Sequence, residues 1–234
     1  MKAILKRELQ SYFKAVSGYV FVSVFMVFAS YYFLFTNIAG LTTDMRAVFY
    51  NMLTILTFLV PVLTMRCLSE ERKTKSDQIL LTSSVSVWEI VLGKYFAAVG
   101  VFLIAIACTL VFPFILFMYG NPEIGVLITS YIGFTLVGCV FIAIGIFLSS
   151  LTENIVIAAL STFGVLLFVQ VFDAIKTAVN NDFWVSVIEW VSLKFRYEEF
   201  YLGVFNFEHI IFYVTVAVGV LFLTKQMIEK RRWS

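Results

Sequence analysis

The chain has 234 residues, 61% of them hydrophobic and only 14% charged, with a mean hydropathy of +0.96. A soluble domain of this size is nearer half apolar and a quarter charged, so the excess apolar surface has to face lipid. The formal net charge of +2 excludes little, because where the charges stand matters more than their sum.

Residues 2–16 come first in chain order. Ile4, Leu5, Leu9, Tyr12, Phe13 and Val16 share one helical face with the cations elsewhere, which predicts an amphipathic helix in the membrane interface. The apolar run after Lys14 is too long for a cleavable signal, and no A-x-A site follows it. Six segments then approach the twenty or so residues a bilayer helix needs: Tyr19–Phe35, Val48–Met65, Tyr95–Tyr119, Val126–Leu148, Ile155–Phe172 and Ile210–Thr224. Pro61 and Pro113 fall inside the second and third and are expected to kink them. Cys139, Ala143, Gly145 and Ser149 give the fourth a small-residue face suited to close helix packing. The segment 173–207 keeps Phe183, Trp184, Trp190, Phe195, Tyr197, Phe200, Tyr201 and Phe205 among charges, which predicts short helices dipping into the outer interface.

Lys and Arg set the orientation. The N-terminus, the segment 66–94 and the C-terminus carry thirteen of the seventeen; Arg46, Lys176, Lys194 and Arg196 are the remainder. Both termini are therefore expected on the cytoplasmic side, a parity that six spans satisfy.

The chemistry of an autonomous pump or enzyme is missing. As drawn, the six spans hold no Asp, Glu, Lys, Arg or His, whereas ion-coupled transporters need intramembrane charge. The single histidine, His209, is too few for a His-box or HExxH site, and a lone interfacial His is read as structural. Cys67, Cys108 and Cys139 form no CxxC pair and read as small hydrophobes. Gly93-Lys94 lacks the upstream glycine of a P-loop, and no GxSxG elbow occurs. If the chain does work, the energy arrives from another polypeptide.

The segment RCLSEERKTKSDQILLTSSVSVWEIVLGK at 66–94 holds nine charged residues. Ser69 is placed to cap a helix whose first turn holds Glu70 and Glu71, and Ser86 and Glu89 have capping-box spacing ahead of a second helix running through Trp88 and Leu92 into the third span. Ile79, Leu80 and Leu81 form an apolar cluster too short to span and in want of a covering surface. A positive-inside loop needs only a few cations. Interleaved Glu70, Glu71, Asp77 and Glu89 point instead to a docking element for a cytoplasmic partner.

The pattern M-R-x-L-S-E-E-R-K-x-K-x-D-Q-x-L-L-T-S followed by V-S-V-x-x-I-V-L-G-K-Y resembles the permease subunits of ABC-2 type transporters, within them the gliding-motility-like subgroup. K-R-E-L-Q-S-Y-F at the start, S-S-L-T-E-N at 149–154 and F-Y-L-G-V-F-N at 200–206 agree, although Ser84 stands where many relatives have Pro. The resemblance implies an all-α single transmembrane domain over 1–234. It has six helices, an interfacial helix at 1–17, a cytoplasmic coupling helix within 66–94 and outer re-entrant helices within 173–207. It implies that Glu70, Glu71, Arg72, Lys73, Asp77 and Gln78 make the polar contacts to a separate ATP-binding subunit and that Ile79, Leu80 and Leu81 anchor them. It also implies ATP and Mg on that partner with no cofactor on this chain, a second permease copy or homologue, and an auxiliary membrane protein with a large extracytoplasmic domain. It implies a bacterial cytoplasmic membrane as the location and no nucleic-acid partner. Tyr31, Tyr32, Thr36, Asn51, Thr54 and Thr57 put polar groups on the first two spans, where they line a translocation path or hydrogen-bond between helices. A membrane scaffold driven by ATP without transport, and an unrelated six-span channel, remain as alternatives.

Overall fold

The structure is a computed structural model that describes residues 2–74, 86–172 and 192–232. Every regular element among the described residues is helical. Apolar runs without strand periodicity, in a solvent that cannot satisfy an open backbone, leave the helix as the economical form.

Helix α1, Lys2–Lys14, leads through Val16 into α2, Ser17–Phe33, which widens into a π-helical turn at Leu34–Ile38. Helix α3 is Arg46–Thr64 and the short α4 is Ser69–Lys73. Helix α5, Val87–Thr109, is followed by α6, Val111–Tyr119, and α7, Ile124–Leu151. Helix α8 is Ile155–Val171, α9 is Leu193–Tyr201 and α10 is Phe207–Arg232.

Five of these helical stretches are long and apolar enough to cross a bilayer: Ser17–Ile38, Arg46–Lys73, Val87–Tyr119, Ile124–Leu151 and Phe207–Lys230. The sixth expected span differs. Helix α8 is apolar but has 17 residues, a rise of about 26 Å against a hydrocarbon core of ~30 Å.

The bundle centres on α7, which packs against α3, α5, α8, α9 and α10. Gly145, one of the small residues expected at this face, makes this possible together with Gly138, which the sequence reading did not single out. A Cβ at Gly138 would meet the Phe102 ring at 2.2 Å, and one at Gly145 would meet Thr64 Oγ1 at 2.2 Å. Phe25, Phe102 and Phe134 fill the middle at centroid separations of 5.9–6.3 Å.

Pro113 produces the expected break, and its consequence is resolved. Proline offers no amide to the carbonyl four residues back, so the helix interrupts after Thr109, and the Tyr131 hydroxyl donates to the Thr109 carbonyl at 3.1 Å. Pro61 lies within α3, which stays continuous from Arg46 to Thr64. The capping expectations divide. Ser86 caps α5, its Oγ accepting from the Glu89 amide at 3.2 Å. Ser69 does not cap α4: it is the first helical residue, and its hydroxyl donates back to the Met65 carbonyl.

Candidate functional site

The end of the bundle that carries α1 gathers the charged groups of three elements. Helix α1 lies against α5, and the approach is close because Gly93 has no side chain: a Cβ there would stand 2.8 Å from Ile4 Cγ2. Leu9 reaches Gly100 about two turns further along α5. The apolar face of α1 read from the sequence therefore packs on α5, and this sets Glu8 opposite Lys94.

Lys94 is the centre of the cluster. Its side chain is 2% exposed, and its Nζ lies 2.8 Å from Glu71 Oε1 and 3.3 Å from Glu8 Oε2. Arg7 completes the set, 2.7 Å from Glu8 Oε1 and 3.6 Å from Glu71 Oε1. Two cations and two carboxylates thus link α1, α4 and α5. A buried ammonium is tolerable only when paired in this way.

Around the charges, the end of α3 is closed by side chains from other helices. The Tyr12 hydroxyl donates to the Leu63 carbonyl at 3.2 Å and meets Cys67 Sγ at 2.8 Å. Burial pushes the Tyr12 phenol well above its ordinary range, so it stays a donor. Ser149 of α7 takes over the role expected of Ser69. Its Oγ accepts from the amides of Leu68 and Ser69, each at 3.2 Å, and donates to the Met65 carbonyl at 3.1 Å. A helix start needs its first amides satisfied, and here a neighbouring helix satisfies them. Arg72 then binds the turn after α7, donating to the Ser150 carbonyl at 3.2 Å and to Glu153 Oε1 at 3.0 Å.

The nine residues expected to contact a partner ATPase divide accordingly. Glu71 and Arg72 point into the bundle and hold α4 to α5 and to the α7–α8 turn. Glu70 and Lys73 are exposed. Asp77, Gln78, Ile79, Leu80 and Leu81 lie outside the described residues. The sequence reading missed Lys94, Glu8, Tyr12, Cys67 and Ser149 as members of this site; the only signal in the sequence was the E-R-K run facing a lysine beside a glycine.

The six polar residues of the first two spans are not brought together. Thr36 back-bonds to the Tyr32 carbonyl at 2.8 Å, and the neighbouring Asn37 donates to the carbonyls of Thr42 and Asp44, each at 3.0 Å, shaping the 39–45 turn. Asn51 donates to the Ala47 carbonyl of its own helix at 2.8 Å. Thr57 is buried and hydrogen-bonded to Gln170 of α8, whose amide also donates to the Leu53 carbonyl at 2.9 Å. Thr54 and Tyr31 are exposed and Tyr32 is half-buried, its ring 5.5 Å from that of Tyr31.

At the opposite end, α9 is clasped to α10. Arg196 Nη1 donates to His209 Nδ1 at 3.0 Å, which leaves the ring proton on Nε2 to be donated to Glu199 Oε2 at 2.6 Å. The Arg196 guanidinium also lies 4.1 Å from the centroid of Phe212. Both nitrogens of the single histidine are therefore engaged in a helix–helix contact.

Comparison with known proteins agrees with this architecture. The family described as ABC-2 family transporter protein matches residues 3–181, from α1 through α8 and beyond. No curated protein matches the chain. A match over most of the sequence, on a helical bundle with several bilayer-length apolar helices, places this multi-pass membrane permease in the ABC-2 transporter family.

Proposed function

We propose that the chain is the membrane half of an ATP-driven exporter. The partner would be a separate ATP-binding subunit that docks on α4 and the residues after it, with a second permease chain completing the pore. Both termini face the cytoplasm in this reading, α9 belongs to an outer re-entrant element, and an auxiliary protein with a large extracytoplasmic domain can join on that side. The positive-inside distribution of Lys and Arg supports the orientation.

The observation that carries the proposal is the Lys94–Glu71–Glu8 cluster. A docking element that hung free from the membrane helices could bind an ATPase but could not move the bundle. Here Glu71 and Arg72 fasten α4 to three other parts of the molecule. That leaves Glu70, Lys73, Asp77 and Gln78 for polar contacts and Ile79, Leu80 and Leu81 as the apolar anchor. Docking and transmission are thus assigned to different residues of one segment.

The division is testable by purification from the native membrane. Leu80→Asp should insert normally and lose the co-purifying ATPase. Lys94→Met should keep the ATPase bound while the permease-dependent part of its hydrolysis falls. An ATPase that co-purifies undiminished with Leu80→Asp would overturn the docking assignment.

A further inference from the structure

A cavity of about 520 Å³ opens beside the charge cluster, between α1, the start of α2 and the α3–α4 junction. Its walls hold Arg7, Arg66 and Lys94 against Glu8, Glu70 and Glu71, so its charge balances to zero. Four of these six neutralise one another in the cluster described above. Arg66 and Glu70 do not take part: both are exposed, and neither has an ion-pair partner among the described residues. The cavity therefore presents one unmatched cation and one unmatched carboxylate. Hydroxyls of Ser11 and Ser17 line it as well.

Exposed apolar side chains stand within a turn of the lining residues along the chain. Val62 is one turn before Arg66 and is 44% exposed; Val16 and Val20 bracket Ser17 and are 58% and 49% exposed. A chamber that sets six charged side chains among apolar surface, where the long apolar stretch Arg46–Lys73 gives way to charge, fits a molecule with a zwitterionic head and hydrocarbon tails.

We propose that this cavity binds the phosphoethanolamine headgroup of a membrane phospholipid, with the phosphate on Arg66 and the Ser11 hydroxyl and the primary ammonium on Glu70; the Ser17 hydroxyl is already donated to the Tyr12 carbonyl at 3.4 Å. Zero net charge disfavours an anionic headgroup, which would leave Glu70 facing a phosphate. A quaternary choline cannot donate a hydrogen bond to Glu70 and is recognised by aromatic cages, whereas Tyr12 is the single aromatic lining residue. The same phosphate–ammonium pair occurs in soluble glycerophosphoethanolamine, which lacks tails to use the apolar flanks.

The test relipidates the purified full-length chain with an equimolar mixture of phosphatidylethanolamine, phosphatidylcholine and phosphatidylglycerol of matched acyl chains, and counts retained lipid by native mass spectrometry. Phosphatidylethanolamine should be retained in several-fold excess. Arg66→Gln and Glu70→Gln should each lower its retention about tenfold, the loss of one charge-assisted contact. Both side chains are exposed, so the fold should survive. The exchange variant Arg66→Glu/Glu70→Arg keeps the net charge but reverses the polarity and should also lose the lipid. Equal retention of the three lipids, preference for phosphatidylglycerol, or unchanged retention in the variants would overturn the proposal. So would binding of glycerophosphoethanolamine to the lipid-free chain as tightly as of the lipid, which would make the source soluble. None of these readouts involves an ATPase, so they stand apart from the docking assignment.

Discussion

At the residue scale the dominant fact is Lys94. Removing one partner of a buried ion pair strands the others, and such changes cost about 3–5 kcal/mol, while replacing the whole set by neutral groups is often near neutral. Lys94→Met leaves Glu8 and Glu71, both mostly buried, facing each other with only Arg7 between them. Its thermal midpoint in detergent should fall well below the wild type, and Lys94→Met/Glu8→Gln/Glu71→Gln should recover most of the loss. If the triple variant is no more stable than the single one, the cluster is not the coupled unit described here. The sequence could not have shown this pairing. Lys94 stands at the edge of an apolar run, where a lysine reads as a flanking cation, and its partners lie 86 and 23 positions away along the chain. By contrast, the structural role of His209 was readable, because one histidine alone cannot build a metal or catalytic set.

Helices α1 to α10 were visible in the sequence to the extent that their causes are local. The amphipathic face of α1, the Ser86 cap of α5 and the break near Pro113 all follow from residues within a turn or two. The start of α4 was misread because its cap comes from α7. Ser149→Ala removes the acceptor for two amides and the donor to the Met65 carbonyl. Loss of a helix cap costs about 1–2 kcal/mol, so the variant should lower the thermal midpoint, and hydrogen exchange should rise at residues 68–69 before it rises elsewhere. Tyr131→Phe tests the other repaired helix end. It leaves the Thr109 carbonyl without its donor at a place where no amide can replace it, and an unsatisfied buried acceptor costs about 1–3 kcal/mol. Restoring the amide with Pro113→Ala in the same chain should recover stability in Tyr131→Phe more than in the wild type. Equal gains in the two backgrounds would mean that the hydroxyl and the missing amide are unrelated.

For the molecule as a whole the question is whether α1, α4 and α5 move as one body or slide past each other. The packing favours one body. Gly93 leaves no gap against Ile4, and the cluster ties the same two helices to α4. A covalent link between α1 and α5 then restrains nothing that moves, whereas breaking the charges releases the link to α4. The Cβ position at Gly93 is 3.2 Å from Ile4 Cβ, a few tenths of an ångström inside the ~3.5–4.5 Å a disulfide spans, so the two helices need part only slightly to take one. With Cys67, Cys108 and Cys139 replaced, Ile4→Cys/Gly93→Cys should therefore oxidise readily. The oxidised chain should support permease-dependent ATP hydrolysis by its partner at the reduced rate or above it. The same disulfide should not rescue Lys94→Met, because it does not replace the contact between Lys94 and Glu71. Hydrolysis that stops on oxidation and returns on reduction would instead show that α1 slides along α5 during each cycle, and the charge cluster would then be a latch that opens, not a fixed strut.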